Sequence, residues 1–454
     1  MITRELIDSL TRTVGEENVL TKPADLAAYS MDASTLRGKP GAVVFPRSEE
    51  DAANILEVAH EQGVSVVPRG AGTGICGGTV PAEEGSIVMV STRMNRILDL
   101  KPSSKTVFVE PGVVLGDLNE FLLGHGLFFP IEPACDSVCT VGGRAATDAG
   151  GLRGVKYGSF RRWVSYLEVA LPGGEILRVG GSTARRPSGY SLIDLFVGSE
   201  GTLGFFVKLG LRVEWLPKSR RIVLASFPGG ESAARAARDI IVTGLKPSAL
   251  EYMDRLTIEA VEEHLPEGVS SAHDLLLVEF EGYTAAEASA QVKKASRIIE
   301  NFGGGVKALE DGSKIWAFRK ACLPALMVLR PRVIPLEVTV PFGRVAEALE
   351  AFSKVGVELG FDLAVFGHLG DGVLYPTLLF DASSGDAERV EEATKLIAEA
   401  GIRLAGSLSG GHGVGIRKRP YFSLEHPRRN VDLMGRLKGV FDPRGIMNPG
   451  KIWG

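Results

Sequence analysis

Two glycine-flanked loops carry side chains that could move protons. The first, "FGHLGDGVLYPTLLF" at residues 366–380, contains His368, Asp371 and Tyr375, and the second, "SGGHGVG", contains His412. Because an imidazole titrates near neutral pH, either histidine could be a general base, and a phenol could donate to a developing oxyanion. The same residues could also be half of a metal site or a plain turn. The choice depends on what the rest of the chain places beside them.

The composition is that of a globular protein without a basic face. The chain has 454 residues, a formal net charge of −4 and no block of like charges, which argues against nucleic acid or an anionic membrane as a partner. No apolar run resembles a signal peptide or a membrane span. The cysteines, Cys76, Cys135, Cys139 and Cys322, lack the spacing of zinc or iron–sulfur ligands. We therefore expect a cytoplasmic protein of two or three domains with reduced thiols and no metal cluster.

Fifty-six glycines form the main compositional signal, and many fall in three clusters. These are "RGAGTGICGG" (69–78), "CTVGGRAATDAGGLRGVKYGSF" (139–160) and "LFVGSEGTLGFFVKLGLRV" (195–213). The first follows the second strand of a β–α–β unit and precedes another strand, which is the wrong order for a nicotinamide-binding fingerprint. Three such clusters between β segments favour a long ligand with a central pyrophosphate, and FAD is the obvious candidate.

Hydrophobic periodicity predicts the elements that carry these loops. Residues 4–15 and 48–63 read as amphipathic helices, and residues 41–46 and 64–68 read as short buried strands. Near residue 217 the pattern changes to alternating antiparallel-type strands and helices, which indicates a second, α+β domain. The proline-punctuated tail "GVFDPRGIMNPGKIW" is unlike an independent unit, so we expect it to fold back onto the first domain.

Together, "VVPRGAGTGICGG", "TVGGRAATDAGG", "KYG" and "LFVGSEGTLG" resemble the FAD-binding domain of the vanillyl-alcohol oxidase (PCMH-type) flavoproteins. "HLGDG", "SGGHGVG" and "FDPRGIMNPGK" resemble the FAD-linked oxidase C-terminal domain, in the glycolate oxidase and D-lactate dehydrogenase branch. The resemblance implies an α+β fold, with a PCMH-type domain of two α/β subdomains and a ferredoxin-like antiparallel-sheet cap. The expected division is an N-terminal helical segment (1–35), the FAD domain (36–216), the substrate domain (217–410) and a returning segment (411–454).

The resemblance also assigns the cofactor contacts. They are Arg69, Gly70, Ala71, Gly72, Thr73, Gly74, Gly77, Gly78, Pro133, Thr140, Val141, Gly142, Gly143, Asp148, Glu200, Gly204, Phe205 and Asn448. Members that link flavin covalently use a His or Cys in the first glycine loop or at a second site. Cys76 lies beyond the phosphate-gripping part of that loop, so we expect non-covalent FAD.

Metal-using members of this branch read H-x-G-D-G-N-x-H in the first loop and E-H-G in the second. Here Val373, Tyr375 and Gly411 replace the asparagine, the second histidine and the glutamate, so we expect no metal. His412 remains as the catalytic base, expected to be exposed on its loop. His368 and Tyr375 would then stabilise the developing alkoxide.

The segment "WAFRKACLP" resembles the one that supplies the arginine for the substrate carboxylate, which makes Arg319 the predicted anchor. We thus expect an FAD-dependent dehydrogenase that oxidises a 2-hydroxyacid such as D-lactate, glycolate or 2-hydroxyglutarate by hydride transfer from Cα to flavin N5. Electrons would pass to a separate iron–sulfur subunit or electron-transfer flavoprotein, and a homo-oligomer is compatible with this reading. Two alternatives stay open: a flavin-bearing electron-transfer or scaffold subunit with degraded substrate chemistry, and a metal-free enzyme of the alkyl-dihydroxyacetonephosphate synthase type.

Overall fold

A computed structural model describes residues 2–34, 36–264, 272–309, 312–381 and 386–453 of the chain. Its strands form three larger sheets and one two-stranded ribbon. The strands are β1 Val19–Leu20, β2 Pro40–Val44, β3 Val66–Arg69, β4 Ser86–Val90, β5 Ile97–Lys101, β6 Thr106–Val109, β7 Leu127–Phe128, β8 Val164–Ala170, β9 Ile176–Gly180, β10 Phe205–Arg212, β11 Glu214–Trp215, β12 Ser219–Phe227, β13 Ala249–Met253, β14 Asp274–Gly282, β15 Gly305–Leu309, β16 Arg332–Pro335, β17 Val338–Thr339, β18 Asp362–His368 and β19 Val373–Phe380.

The helices lie between and over these sheets. They are α1 Arg4–Val14, α2 Pro23–Tyr29, α3 Glu49–Gln62, α4 Leu115–Leu123, α5 Val141–Ala146, α6 Gly154–Tyr157, α7 Ile193–Phe196, α8 Gly230–Val242, α9 Arg255–His264, α10 Ala285–Asn301, α11 Ser313–Leu329, α12 Val345–Leu359, α13 Asp386–Arg403, α14 Phe422–Glu425 and α15 Arg428–Phe441. None of the described helices is both long and apolar enough to cross a lipid bilayer.

The N-terminal half contains two small sheets. The first has the order β1-β2-β4-β3, with β2 and β3 both parallel to β4. Its central strands are rich in buried valine and isoleucine because helices α1 and α3 cover one face. The second sheet is antiparallel, with the order β5-β6-β10-β8-β9. One glycine-rich segment follows β3 of the first sheet, and a second follows β7, which belongs to the two-stranded ribbon.

The C-terminal half is one antiparallel sheet of eight strands. Its order is β15-β12-β14-β13-β18-β19-β16, and β17 also pairs with β19. Helices α8, α10, α12 and α13 pack on one face, and α9 and α11 pack on the other. This arrangement confirms the predicted α+β class with two α/β subdomains and an antiparallel cap.

Several predicted elements are confirmed. The helices predicted at 4–15 and 48–63 are α1 and α3, and the strand predicted at 41–46 is β2. The third sheet begins at Ser219, close to the predicted change of pattern near residue 217. The finer division into four segments stays a prediction.

The tail returns to the first sheet, as the sequence predicts. Val66 N–H donates to the Ile446 carbonyl, and Asn448 N–H donates to the Val66 carbonyl, both at 2.8 Å. The Lys451 ammonium donates to the Val80 carbonyl at 2.7 Å. The last residues therefore extend the edge of β3, beside the first glycine cluster.

A buried ion pair joins the two halves of the molecule. Arg153, which precedes α6, places its Nε 2.9 Å from Glu279 Oε1 on β14, and both side chains are at most 4% exposed. Trp316 on α11 donates its Nε1–H to the second oxygen of Glu279 at 3.1 Å. Because Glu279 is buried in the sheet, its carboxylate needs a close counter-charge, and Arg153 supplies it.

Replacing Arg153 with methionine should therefore destabilise the protein strongly. It leaves the Glu279 carboxylate buried without its main counter-charge, which costs about 3–5 kcal/mol. Urea unfolding followed by circular dichroism measures this loss. Arg330→Met, which removes an exposed pair with Asp362, should shift stability by less than about 0.5 kcal/mol. If Arg153→Met and Arg330→Met lowered the free energy of unfolding by equally small amounts, the proposed stabilising effect of the Arg153–Glu279 ion pair would be contradicted.

Candidate active site

The glycine clusters line a cavity between the two N-terminal sheets. Residues 70–74 form one wall, and Thr140, Gly142 and Gly143 at the start of α5 form another. No described residue accepts a hydrogen bond from the backbone N–H groups of residues 71–74. Such free amides suit phosphate oxygens.

The cavity also tests whether FAD fits these residues. At Gly74 and Gly78 a Cβ atom would have no neighbour closer than 3.8 Å, so a side chain there would project into the cavity. Gly72 has a φ of +74°, a conformation that favours glycine, and its Cβ would strike the Arg69 guanidinium. The cavity is therefore kept open by glycines at positions where other residues would fill it. These residues fit an extended phosphate-bearing cofactor, and we name the space the cofactor cavity.

Most of the predicted cofactor contacts lie on this wall. They are Arg69, Gly70, Ala71, Gly72, Thr73, Gly74, Gly78, Thr140, Gly142, Gly143, Glu200, Gly204 and Phe205. Val141 and Gly77 are not among the residues that line this cavity. Pro133 lines a neighbouring cavity, which is described below. The direct roles of all these residues toward FAD stay predictions.

Three of the predicted contacts brace the loops. The Glu200 carboxylate accepts hydrogen bonds from the N–H groups of Val414 and Gly415 at 2.7 and 2.8 Å. Asp148 accepts from Arg161, and Asn448 donates its amide to the carbonyls of Gly78 and Glu200. Burial raises the pKa of Glu200, and the two amides oppose that effect. These residues thus fix the "SGGHGVG" loop and the tail against the cofactor cavity.

A second cavity of about 700 Å³ lies beyond α5, between the halves. A third, of about 670 Å³, is lined by His368, Asp371, Tyr375, His412 and Arg319. We name the third space the substrate cavity. It shares six lining residues with the cofactor cavity: Asp32, Arg69, Gly72, Thr73, Arg144 and His412. The two spaces therefore adjoin each other, and every predicted catalytic residue lines the substrate cavity.

His412 is held by a buried carboxylate. Its Nδ1 lies 2.8 Å from Glu337 Oε1, and the Lys418 ammonium lies 2.8 Å from Glu337 Oε2. Burial alone would raise the pKa of Glu337, but the charges of Lys418 and His412 hold it well below its usual value. With Nδ1–H assigned to the carboxylate, Nε2 is the lone-pair nitrogen left for the cavity. The sequence prediction of an exposed His412 is wrong, since its side chain is only 16% exposed. It is largely buried because its imidazole pairs with the buried Glu337 carboxylate.

His368 is held in a parallel way. Glu251 on β13 and His368 on β18 are register partners, and the histidine Nδ1 lies 2.8 Å from both carboxylate oxygens. Arg319 on α11 places Nη2 2.7 Å from Glu251 Oε2, and both side chains are at most 2% exposed. Arg319 therefore reaches the substrate cavity with its charge already balanced by Glu251.

Tyr375 stands between the two imidazoles. Its ring centroid is 5.7 Å from that of His368 and 5.8 Å from that of His412, both nearly perpendicular. Burial raises the pKa of Tyr375 well above its usual range, and Glu337 adds to this effect. The phenol thus stays protonated and can donate a hydrogen bond. Burial also raises the pKa of Asp371, at the cavity edge, to about 6.

The sequence prediction missed the carboxylates that hold the two histidines. Glu337 stands in "VIPLEVTVP", between β16 and β17, and Glu251 stands in "SALEYM" on β13, each a single acid within an apolar segment. Such an acid is almost never buried without a partner, so these isolated charges were a usable signal. Lys418 and Arg144, which also face this region, carried no comparable sequence signal. No group of three His, Cys, Asp or Glu among the described residues is arranged to hold a metal ion.

Comparisons with known proteins decide the family. The family of FAD linked oxidases, C-terminal domain, matches residues 216–452, and the FAD binding domain family matches residues 40–180. The chain is also 36% identical over 462 residues to the "Glycolate oxidase subunit GlcD" of Bacillus subtilis, covering 100% of this chain and 97% of the relative. The chain belongs to the FAD-linked oxidase family. FAD is its cofactor, and it is an FAD-dependent oxidoreductase.

Other members of this family agree in length. The "Glycolate oxidase subunit GlcD" of Escherichia coli is 33% identical, covering 95% of this chain and 88% of the relative. The "D-lactate dehydrogenase" of Archaeoglobus fulgidus is 34% identical, covering 90% of both. The fold is shared with p-cresol methylhydroxylase (TM-score 0.84, 15% identity, 99% of this chain and 97% of that chain). It is also shared with alkyldihydroxyacetonephosphate synthase (TM-score 0.78, 20% identity, 99% and 85%).

Glu337→Gln should destabilise this oxidase by about 3 kcal/mol at pH 7, because Lys418 loses its buried counter-charge. The depressed pKa of Glu337 makes its contribution complete above the ordinary value of 4.5 and lost as the pH falls through the depressed value. The difference in free energy of unfolding between the unchanged protein and Glu337→Gln should therefore become smaller only at acid pH. Urea unfolding at several pH values measures it.

Glu350→Gln is the matched control, since Glu350 pairs with Lys354 on the exposed face of α12. Its unfolding midpoint should equal that of the unchanged protein at neutral pH. A Glu337→Gln variant as stable as this control would show that the buried carboxylate is not a structural anchor.

Proposed function

We propose that this FAD-dependent oxidoreductase oxidises a 2-hydroxyacid, with His412 as general base. The observation that carries the proposal is the convergence of His412, His368 and Tyr375 on one cavity that adjoins the cofactor cavity. The names of the relatives, glycolate oxidase and D-lactate dehydrogenase, support the same substrate class. When bound, FAD supplies the hydride acceptor.

The chain's own residues account for the proton. His412 Nε2 takes the substrate hydroxyl proton, while Glu337 holds Nδ1–H and stabilises the imidazolium that results. Tyr375 donates a hydrogen bond to the oxygen as negative charge develops on it, and His368 does so when both of its ring nitrogens carry a proton. No step requires a metal ligand. Two ordered Glu–His pairs around one tyrosine favour a working site over a degraded one.

We propose that FAD is held without a covalent bond. Cys76 lies outside the lining of the cofactor cavity, and its carbonyl accepts from the N–H groups of Ile416 and Arg417. Burial raises the pKa of the Cys76 thiol to about 12, which keeps it an unreactive thiol. We also propose that electrons pass to a separate acceptor protein. Two of the relatives are named as subunits, which supports an assembly.

The first test is anaerobic reduction of the holoprotein. Mixing it with D-lactate, glycolate or D-2-hydroxyglutarate should bleach the flavin band near ~450 nm, with or without EDTA. Failure across the panel, while dithionite still reduces the flavin, would instead support a flavin-bearing electron-transfer subunit.

His412→Ala should slow flavin reduction by at least about 100-fold while FAD stays bound, because the base is lost and the cofactor wall is intact. Stopped-flow absorbance measures the rate, and the flavin spectrum measures the content. His125→Ala, at an exposed helix end, is the control and should reduce normally. A His412→Ala variant with full activity would remove this residue as the base.

Tyr375→Phe should lower the rate of flavin reduction on the order of 100-fold, since it deletes one donor to the developing oxyanion. The ring packing against both imidazoles is kept. Substrate affinity, read from the concentration dependence of the stopped-flow rate, should change little. An equal loss in affinity and rate would mean that the hydroxyl serves ground-state binding instead.

A further inference from the structure

Four Lys or Arg side chains line the substrate cavity, and three of them have either a carboxylate partner or two hydrogen-bond acceptors within the protein. Arg319 pairs with Glu251 at 2.7 Å, and Lys320 pairs with Asp136 at 2.7 Å. Arg69 donates to the Met31 carbonyl and the Thr79 hydroxyl, beside Asp32. The fourth cation is Arg144.

Arg144 has no carboxylate within ion-pair distance among the described residues. Its Nη2 donates to the Gly150 carbonyl at 3.1 Å, its Nε is buried without a partner, and the residue is 8% exposed. It sits on α5 and lines both the cofactor cavity and the substrate cavity. An uncompensated, largely buried guanidinium calls for an anion, and a carboxylate matches its geometry.

The charge of Arg144 also reaches the proposed catalytic group. It opposes the burial-driven rise in the pKa of Tyr375, which stands against His368 and His412. Arg144 and His412 line the same two cavities, so an acid held by Arg144 would lie in the space that the proposed base also faces.

One part of the lining of the substrate cavity is apolar, and we call it the apolar end. Val138, Leu323, Pro324, Met327 and Pro335 line it, and none of them lines the cofactor cavity. Val138 and Met327 are 52% and 40% exposed, so this end opens to solvent. Pro133, a predicted FAD contact, also lines this space of about 670 Å³, so the cofactor and the substrate would share it.

We propose that Arg144 anchors the substrate carboxylate and that the apolar end of the cavity accepts a long hydrocarbon side chain. The preferred substrates are then 2-hydroxyacids with larger apolar side chains than lactate. This inference rests on the proposed oxidation of 2-hydroxyacids and names the substrate class. It assigns the anchoring role to Arg144 on α5 instead of Arg319, because the charge of Arg319 is paired with Glu251.

Equilibrium binding of unreactive acids to the FAD-loaded full chain tests the inference without turnover. Acetate, butanoate, hexanoate and octanoate are titrated, and the perturbation of the flavin spectrum reports binding. Affinity should rise about fourfold for each methylene that enters the apolar end. Octanoate should bind at least about tenfold tighter than octanamide, which lacks the charge. An affinity that is flat along the series would overturn the proposed side-chain site.

Arg144→Met should weaken octanoate at least about tenfold and bring its affinity close to that of octanamide. Arg162→Met, which removes an exposed arginine of the same half, is the matched control and should bind as the unchanged protein does. Flavin content and thermal melting confirm that each variant is folded. Unchanged octanoate binding in folded Arg144→Met would overturn the anchor.

Met327→Gln keeps the inference testable if Arg144→Met does not fold, because Met327 lies at the exposed end of the cavity. It should weaken octanoate several-fold and leave acetate unchanged, whereas equal effects on both acids would contradict the site. Unreactive acids that bind as expected, beside hydroxyacids that never reduce the flavin, would overturn the proposed oxidation and leave the carboxylate site standing.

Discussion

Two buried carboxylates organise the active site. Glu251 on β13 and Glu337, between β16 and β17, are both buried, and a buried ionised acid is tolerated only with close counter-charges. Each of them pairs with an imidazole and a cation: Glu337 with His412 and Lys418, and Glu251 with His368 and Arg319. The need to neutralise these acids fixes the histidine rings. The orientation of both imidazoles thus follows from the electrostatics of burial.

The position of the cofactor follows from a different constraint, the shortage of room. Glycines in the first cluster leave open the space that Cβ atoms would occupy, and α5 begins against the same wall. Glu200 then ties this wall to the His412 loop, because both of its oxygens accept from that loop. The wall of the cofactor cavity and the loop that carries His412 are therefore held together by hydrogen bonds, although almost the whole C-terminal sheet separates them in sequence.

Charge balance distinguishes the residues that hold the site from the one that can hold a ligand. Arg319 and Lys320 pair with carboxylates of the protein, and Arg69 donates to a backbone carbonyl and a hydroxyl, so these three cations stabilise the fold. Arg144 is left with a single carbonyl partner. An anionic ligand can therefore pair with Arg144 without displacing a carboxylate of the protein.

The sequence by itself determined the local elements and the FAD domain, and it predicted His368, Tyr375 and His412 as site residues. These depend on short-range patterns: periodicity, glycine clusters and loop motifs, which are readable without knowing what lies opposite. Tertiary structure alone decided that His412 is half-buried and that Arg319 forms an ion pair with Glu251. It also decided that Arg144 faces the cavity. Each of these facts is a pairing between distant strands and helices, and the charge that a side chain presents depends on its partner, which no local pattern records.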